Sequence, residues 1–331
     1  MNPPKFSEDD YISFLVASPR IFTCTEVERV QSGQENAPCH DAVSRLLHRI
    51  RASASTLRKE ALPFADLKSG VLIIDDSTLD KLYARHIGLV CRHWSGKHHS
   101  VVKGINLITL LWTDGDARIP CDYRIYCKKQ DGKTKNGHFA DMLHKAKVQG
   151  FEPSCVLFDS WYSGSENLRT IRKYGWHWLT RLKSNRPVNP DGKGNVPLSS
   201  VSVPETGTAV HLKDYGFVKV FGIVAKDGET EYWATGIIDM DELRRLQLSE
   251  FAWKIEEYHR GLKQFCGAER SQVRAAKARR NHIGLAVRTF LRFSVFCFRT
   301  GCSWFEAKFR IIRDAVRKYM AHPTYVLNPT A

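Results

Sequence analysis

"SCVLFDSWYSGSENLRTIRKYGWHWLTRL", residues 154–182, changes character twice within one short span. An apolar run closes on Asp159, a small-residue turn opens the helical stretch "SENLRTIRKYG", and a second apolar run, "WHWLTRL", follows. Strand, helix and strand in that order predict an α/β layer around a mixed sheet. Asp159 has two readings. Its side chain can accept from the open N–H groups of the turn and helix behind it, as an N-cap does. It also stands where open α/β sheets carry ligands, at the carboxyl end of a strand. The stretch alone leaves both open.

Working outward, "GVLIIDDST" is another apolar strand, ending in Asp75 and Asp76. The segments "HIGLVCRHW", "SVVKGINLITLLW" and "ARIPCDYRIY" follow it across polar turns and predict an antiparallel meander, before the helix "GHFADMLHKAKVQG". Upstream lie short helices: "EDDYISFLVAS", "TEVERVQS" and "HDAVSRLLHRIRASASTLRKEAL", the last with Val43, Leu46, Leu47 and Ile50 at helical spacing. Downstream, a Pro/Gly-rich stretch leads into the alternating runs "AVHLKD", "FVKVFGIVAK" and "TEYWATGII", then helices near 249–265, 277–300 and 303–320. The expected organisation is a helical module over 1–65, the first part of a core over 66–183, a β-rich insertion over 184–238, the rest of the core over 239–300, and a basic helix and tail over 301–331.

With 331 residues, 43% of them hydrophobic, the chain can bury a core for roughly two domains. It has no long apolar run of membrane-spanning length, and "MNPPKFSEDDYISF" lacks the basic and apolar regions of a signal peptide, so a cytoplasmic protein with no membrane partner is expected. Nine scattered cysteines without a C-x-x-C pair give neither a disulfide framework nor a four-thiolate zinc site. His93, His98 and His99 fall in "RHWSGKHHS", where Gly, Ser and Lys mark a turn rather than a metal site. The net charge is +15, and 15 basic residues stand against 3 acidic ones between Arg260 and Lys318. That asymmetry points to a polyanion, nucleic acid or an anionic membrane surface.

The helix "SEFAWKIEEYHRGLKQF" resolves into faces at 100° per residue. Phe251, Ile255, Tyr258, Leu262 and Phe265 make an apolar packing stripe, while Trp253, Glu256, Arg260 and Lys263 share the opposite sector. On periodicity alone this is a solvated face with an ordinary Glu256–Arg260 pair. Taken with the strand-end aspartates, it becomes the third carboxylate of a set suited to a pair of Mg²⁺ ions, with cations beside it for phosphate.

"IIDDSTLDK", "KTKNGHF", "VLFDSWYSGSENL", "LTRLKSNRPV" and above all "WKIEEYHRGLKQFCGAERSQVR" resemble the DDE transposases of bacterial insertion sequences, in the branch with a Tyr-x2-Arg-x3-Glu-x6-Lys signature. The likeness runs from about residue 65 to 300, and Glu256 and Lys263 stand at the x6 spacing. It implies an RNase H-like core, a mixed sheet flanked by helices, with a β-rich insertion between the second Asp and the Glu. The implied metal-binding and catalytic triad is Asp76, Asp159 and Glu256, with Asp75 the alternative to Asp76; the family usually places the ligand directly before a hydroxyl residue. The signature's Tyr and Arg positions hold Ser249 and Ala252, so end-handling is expected to differ.

The resemblance further implies cleavage at insertion-sequence ends and strand transfer into target DNA, with two Mg²⁺ ions, or Mn²⁺ in their place. Lys263, Arg260, Arg270, Arg274, Lys277, Arg279 and Arg280 are the expected DNA-backbone contacts. Trp161 and Trp253 are either core residues or stacking platforms for an extruded base. Implied partners are double-stranded DNA, as inverted-repeat ends and as target, and a second copy of the chain in a homodimer on DNA; the implied location is the bacterial nucleoid. A metal-dependent nuclease that does not join, and a transposase-derived protein that only binds DNA, are the competing functions.

Overall fold

The computed structural model describes residues 5–95, 99–128, 130–225 and 228–324; His98 of the histidine turn lies outside them. The chain falls into two compact units, one within Met1–Ser53, Arg85–Gly88 and Arg260–Ala331, the other Ala54–Ala84 and Leu89–His259.

The chain opens with α1 (Glu8–Ala17), α2 (Cys24–Gln31) and α3 (His40–Arg49), followed by α4 (Ala54–Ala61). Ser7 and Asp10 form a capping box that starts α1, and Thr23 caps α2. The stretch expected as one amphipathic helix from His40 is two, because Ile50 turns extended. The buried Asn281 amide donates to the carbonyls of Leu47 and Ile50 at 2.7 and 2.8 Å and accepts from the Ala52 N–H at 3.0 Å. One side chain thus satisfies the backbone groups the break exposes.

The sheet is built from β1 (Val71–Asp80), β2 (Cys91–Ser95), β3 (Ser100–Thr113) and β4 (Ile119–Tyr126), then, after α5 (Lys135–Val148), β5 (Cys155–Phe158), and after α6 (Ser165–Lys173), β6 (Trp178–Leu182). Next come the short pair β7 (Pro187–Val188) and β8 (Val196–Pro197), then β9 (Thr208–Leu212), β10 (Gly216–Val224) and β11 (Thr230–Thr235). Helices α7 (Glu242–Gln264), α8 (Ala276–Thr300) and α9 (Trp304–Ala321) complete the described chain.

Strand order is β2-β3-β1-β5-β6-β11-β10-β9, with β4 also on β3, so the expected mixed α/β sheet is present. β1 lies inside it, antiparallel to β3 and parallel to β5, and Val71 to Ile74 are buried without alternation, as a strand covered on both faces requires. The strands after β1 are not a simple meander. β3 pairs with β1 along one edge and carries β2 and then β4 along the other, and "HIGLVCRHW" becomes strand only at Cys91. Strands β9 to β11 do not stand apart; β11 pairs with β6 and the three continue the main sheet.

On α7, Ile255, Tyr258 and Leu262 are buried while Trp253, Glu256 and Arg260 are exposed, as the 100° reading predicts. All nine cysteines are free, and among the described residues no helix is long and apolar enough to cross a membrane.

Candidate active site

Register fixes the first two site positions. Ile74 on β1 pairs with Phe158, the last residue of the parallel β5, so Asp159 is the first residue beyond β5 and Asp75 stands level with it inside β1, a strand that does not end at Asp75 and Asp76 as expected but runs on to Asp80 against β3. Asp159 extends its backbone and caps the 3-10 turn Ser160–Tyr162, one carboxylate oxygen accepting from the Trp161 N–H at 2.9 Å. Thr180 pins the same corner by donating to the carbonyls of Phe158 and Asp159, at 2.7 and 3.1 Å. The capping reading of Asp159 is therefore present in the structure, and it occupies one of the two carboxylate oxygens.

Helix α7 supplies the third position. It is held against the sheet by Tyr258, whose hydroxyl accepts from Thr109 at 3.4 Å, and by Glu257, which takes Arg118 Nε at 2.5 Å. Gly115, at φ +112°, lets Phe251 close over the β3–β4 turn, since a Cβ there would lie 2.9 Å from the ring. Of the adjacent glutamates, Glu257 is thus spent on the fold. Glu256 makes no ion pair among the described residues.

Consecutive strand residues face opposite sides of a sheet, and Asp75 and Asp76 meet different neighbours. Asp75 lies on the α7 side: donor atoms of Asp75, Glu256 and His259 all fall within 4.8 Å of one another, and His259 Nδ1 is 4.0 Å from Asp75 Oδ2. Burial pushes the Asp75 carboxyl well above its ordinary range, and the negative charges of Asp159, Asp76 and Glu256 push it the same way. Burial and the Asp76 charge also raise Asp159, against the Trp161 N–H, Arg181 and Lys135.

Asp76 is instead surrounded by donors. Asn106 Nδ2 reaches it at 2.6 Å, Lys135 Nζ at 2.7 Å, and the Tyr162 hydroxyl donates at 2.8 Å. Burial alone would raise its carboxyl, but the Lys135 charge and these hydrogen bonds outweigh it and the group is held below its ordinary range. Lys135, Asn106, Tyr162 and His259 were not singled out by the sequence. Lys135, Tyr162 and His259 do lie in the stretches "KTKNGHF", "VLFDSWYSGSENL" and "WKIEEYHRGLKQFCGAERSQVR" that carry the resemblance, and His259 stands one helical turn beyond Glu256.

The tryptophans are surface residues: Trp161 is 54% exposed and Trp253 57%, which removes the core reading for both. Trp161 has Lys135 Nζ 5.4 Å and Lys183 Nζ 5.6 Å from its ring centroid. The remaining expected DNA contacts belong to the helical unit. Arg260, Arg270, Arg274 and Lys277 are exposed, Arg280 is half-buried, and Lys263 pairs with Glu269 at 3.3 Å. Arg279 does not belong with them. It is fully buried, its guanidinium donating to the carbonyls of Ser271 and Val273, so it is a structural group with no face for phosphate.

Asp75 inside β1, Asp159 just past the end of β5, Glu256 on α7 and the His259 imidazole form an oxygen-rich donor set with like charges held close. That is chemistry for a divalent cation, and the elevated Asp75 carboxyl shows the charge such an ion would relieve.

The family model described as DDE superfamily endonuclease matches residues 27–202, and the model described as archaeal putative transposase ISC1217 matches residues 123–302. No curated protein matches the chain. Among solved structures it is similar to the piggyBac transposase synaptic complex with hairpin DNA, with a TM-score of 0.54 and 12% identity over 98% of this chain and 76% of that one. The Drosophila P element transposase strand transfer complex matches with a TM-score of 0.30 and 11% identity over 58% of this chain and 48% of that one. The piggyBac likeness is one of fold, and the fold is RNase H-like.

Proposed function

The chain belongs to the DDE superfamily of endonucleases, and from that membership we propose that it is a transposase of the insertion-sequence type, acting at the cluster beside β1. In this reading it hydrolyses a DNA phosphodiester at each transposon end and then joins the freed 3′-hydroxyl to target DNA. The observation that carries it is the convergence of Asp75 and Asp159, on adjacent parallel strands, with Glu256 on α7. Asp75, Asp159 and Glu256 are the proposed metal ligands. Asp76, the aspartate expected from the family pattern, serves in this proposal as a support on the opposite side of β1, held by Lys135, Asn106 and Tyr162.

Two Mg²⁺ ions, or Mn²⁺ in their place, supply when bound a more acidic attacking water and charge relief at the leaving oxygen. The chain's own groups position the substrate. Trp161, between Lys135 and Lys183, offers a stacking face and two cations to an unpaired base and its phosphate, and Trp253 offers a second face one turn before Glu256. Arg260, Lys263, Arg270, Arg274, Lys277 and Arg280 bind backbone phosphate, with affinity falling as salt rises. Residues 1–65 read the inverted repeats, two copies of the chain assemble on DNA, and the protein works at the nucleoid. Placement in the insertion-sequence branch rests on the Glu256-x6-Lys263 spacing.

A second reading, a nuclease that cuts without joining, is favoured by Ser249 and Ala252 at the signature's Tyr and Arg positions. The Ser249 hydroxyl turns back on the Leu246 carbonyl at 2.7 Å.

The test uses purified protein and a labelled duplex bearing the inverted repeat that flanks its own gene, with divalent metal or chelator, comparing wild type and Glu256→Gln. Metal-dependent cleavage at the repeat boundary, lost in the variant and followed by strand-transfer products, is expected. Cleavage without those products selects the nuclease, and specific binding without cutting selects the DNA-binding relic. A Glu256→Gln protein that cuts as wild type does removes the cluster from consideration.

A further inference from the structure

We propose that His259 is a direct metal ligand of this cluster, and that its nitrogen sets the metal preference of the site toward Mn²⁺ and away from Mg²⁺. The inference rests on the metal-site reading above and adds to it a residue that the three-carboxylate set does not contain.

Three observations carry it. First, His259 lies one helical turn beyond Glu256, so both side chains project from the same side of α7, and its Nδ1 is 4.0 Å from Asp75 Oδ2. All three donor atoms lie within 4.8 Å of one another, so small side-chain movements close them around one ion. Second, His259 is 5% exposed while Glu256, on the same helix, is exposed. The imidazole therefore sits on the inner side of the cluster and the carboxylate on the outer side, open to substrate. Third, the helix has little freedom to turn His259 away, because Tyr258 and Glu257 beside it are tied to Thr109 and Arg118.

The consequence for the ion follows from ligand chemistry. Mg²⁺ takes oxygen donors in a tight octahedron and sheds water reluctantly, whereas imidazole suits softer first-row ions. Where a ring nitrogen joins the carboxylates, Mg²⁺ must give up a water for a donor that suits it poorly. Mn²⁺ accepts the mixed set, with longer and less strictly directed bonds.

The test is binding, measured on the full chain without DNA. Calorimetric titration of wild type with Mn²⁺ and with Mg²⁺ is expected to give tighter Mn²⁺ binding by about tenfold or more, a gap that narrows in His259→Asp, where the set becomes all oxygen. Pulsed electron paramagnetic resonance of the Mn²⁺-loaded wild type is expected to show ¹⁴N coupling from a bound imidazole, absent in His259→Gln. The wild-type spectrum stands even where a variant fails to fold. Bound Mn²⁺ without nitrogen coupling overturns the role of His259 and leaves the carboxylate site intact. An unchanged Mn²⁺ to Mg²⁺ ratio in a folded His259→Asp protein does the same. Failure of wild type to bind either ion overturns this inference together with the metal-site reading beneath it.

Discussion

In the helical unit, the cations Arg279 and Lys308 lie deep in the protein and donate to backbone carbonyls. Arg279 donates to the carbonyls of Ser271 and Val273, and Lys308, 3% exposed, donates to those of Leu15, Val16 and Phe265. In the sheet unit, Asp75 is half-buried, and the carboxylates Asp159, Asp76 and Glu256 bear on it, against the Asp76 N–H and with the His259 imidazole 4.0 Å away. Burying a charge is costly unless it is paired; the carbonyls offset part of that cost for the two cations, whose pKa burial still lowers to about 10 at Arg279 and about 8 at Lys308, whereas the carboxylates around Asp75 add to it. Asp76, one residue from Asp75, shows that the sheet unit is able to satisfy a carboxylate, with a lysine, an amide and a phenol around it. Carboxylates perturbed in this way gather at functional sites, in keeping with the proposal that Asp75 is the ligand of the pair.

The contrast is broken most visibly at Glu256. Glu256→Gln is expected to lower DNA cleavage by at least about a thousandfold while leaving the melting temperature near wild type, since its carboxylate is exposed and holds no ion pair among the described residues. Gel-resolved cleavage rates and a thermal melt check both halves. Lys308→Met is expected to do the reverse. It strands three buried carbonyl acceptors and lowers stability by about 3 kcal/mol, read from the denaturation midpoint at constant m-value. A Lys308 variant as stable as wild type would mean that the buried cation is not repaid by those carbonyls, and the contrast would lose one side.

The sequence makes these regions unequally legible. The strand–helix–strand order of 154–182 and the two faces of α7 follow from periodicities of two and 3.6, which are local, and both appear in the structure. The difference between Asp75 and Asp76 is not local. Alternation says that they face opposite ways, but which face meets α7 depends on the Thr109–Tyr258 contact and on the packing of Phe251 over Gly115, far along the chain. The nearness of His259 to Asp75 is hidden for the same reason, since the strand it faces is remote in sequence. Arg279 reads as one more cation in a basic stretch, since counting charge cannot separate a buried guanidinium from an exposed one. Trp161 and Trp253 err in the other direction, their aromatic character suggesting core where the structure leaves them on the surface.

A smaller effect of opposite sign is expected at Asp75. Its carboxyl is raised in the folded state, so the native protein holds that proton more tightly than the unfolded chain. The group's contribution to stability is therefore fully present at acid pH and is lost as pH rises through the folded value. At neutral pH and with chelator, Asp75→Asn removes a repelled charge and is expected to raise the melting temperature, by less than Lys308→Met lowers stability. The gain shrinks as pH falls toward the range where Asp75 is protonated, and Mn²⁺ reverses it, since the ion stabilises only the chain that keeps the ligand. Melting wild type and variant across pH, with and without Mn²⁺, checks each sign. A variant less stable than wild type in chelator would show that Asp75 is satisfied where it stands.

The smallest expected effect tests the other member of the pair. Tyr162→Phe deletes one donor to Asp76 and leaves Lys135 and Asn106 in place, so a loss of about 1 kcal/mol is expected rather than the larger cost of stranding a buried charge. The ring itself stays packed, stacked on Phe139 at 5.0 Å between centroids, so the change isolates the hydroxyl. Metal affinity decides the meaning of the result. If Asp76 only supports the strand from its far side, Mn²⁺ binding is unchanged when its hydrogen bonding is weakened. If Asp76 is the ligand, removing a competing donor from its carboxylate frees an oxygen and tightens binding. The two aspartates thus exchange roles on the outcome of one titration, and with them the side of β1 on which the chemistry takes place.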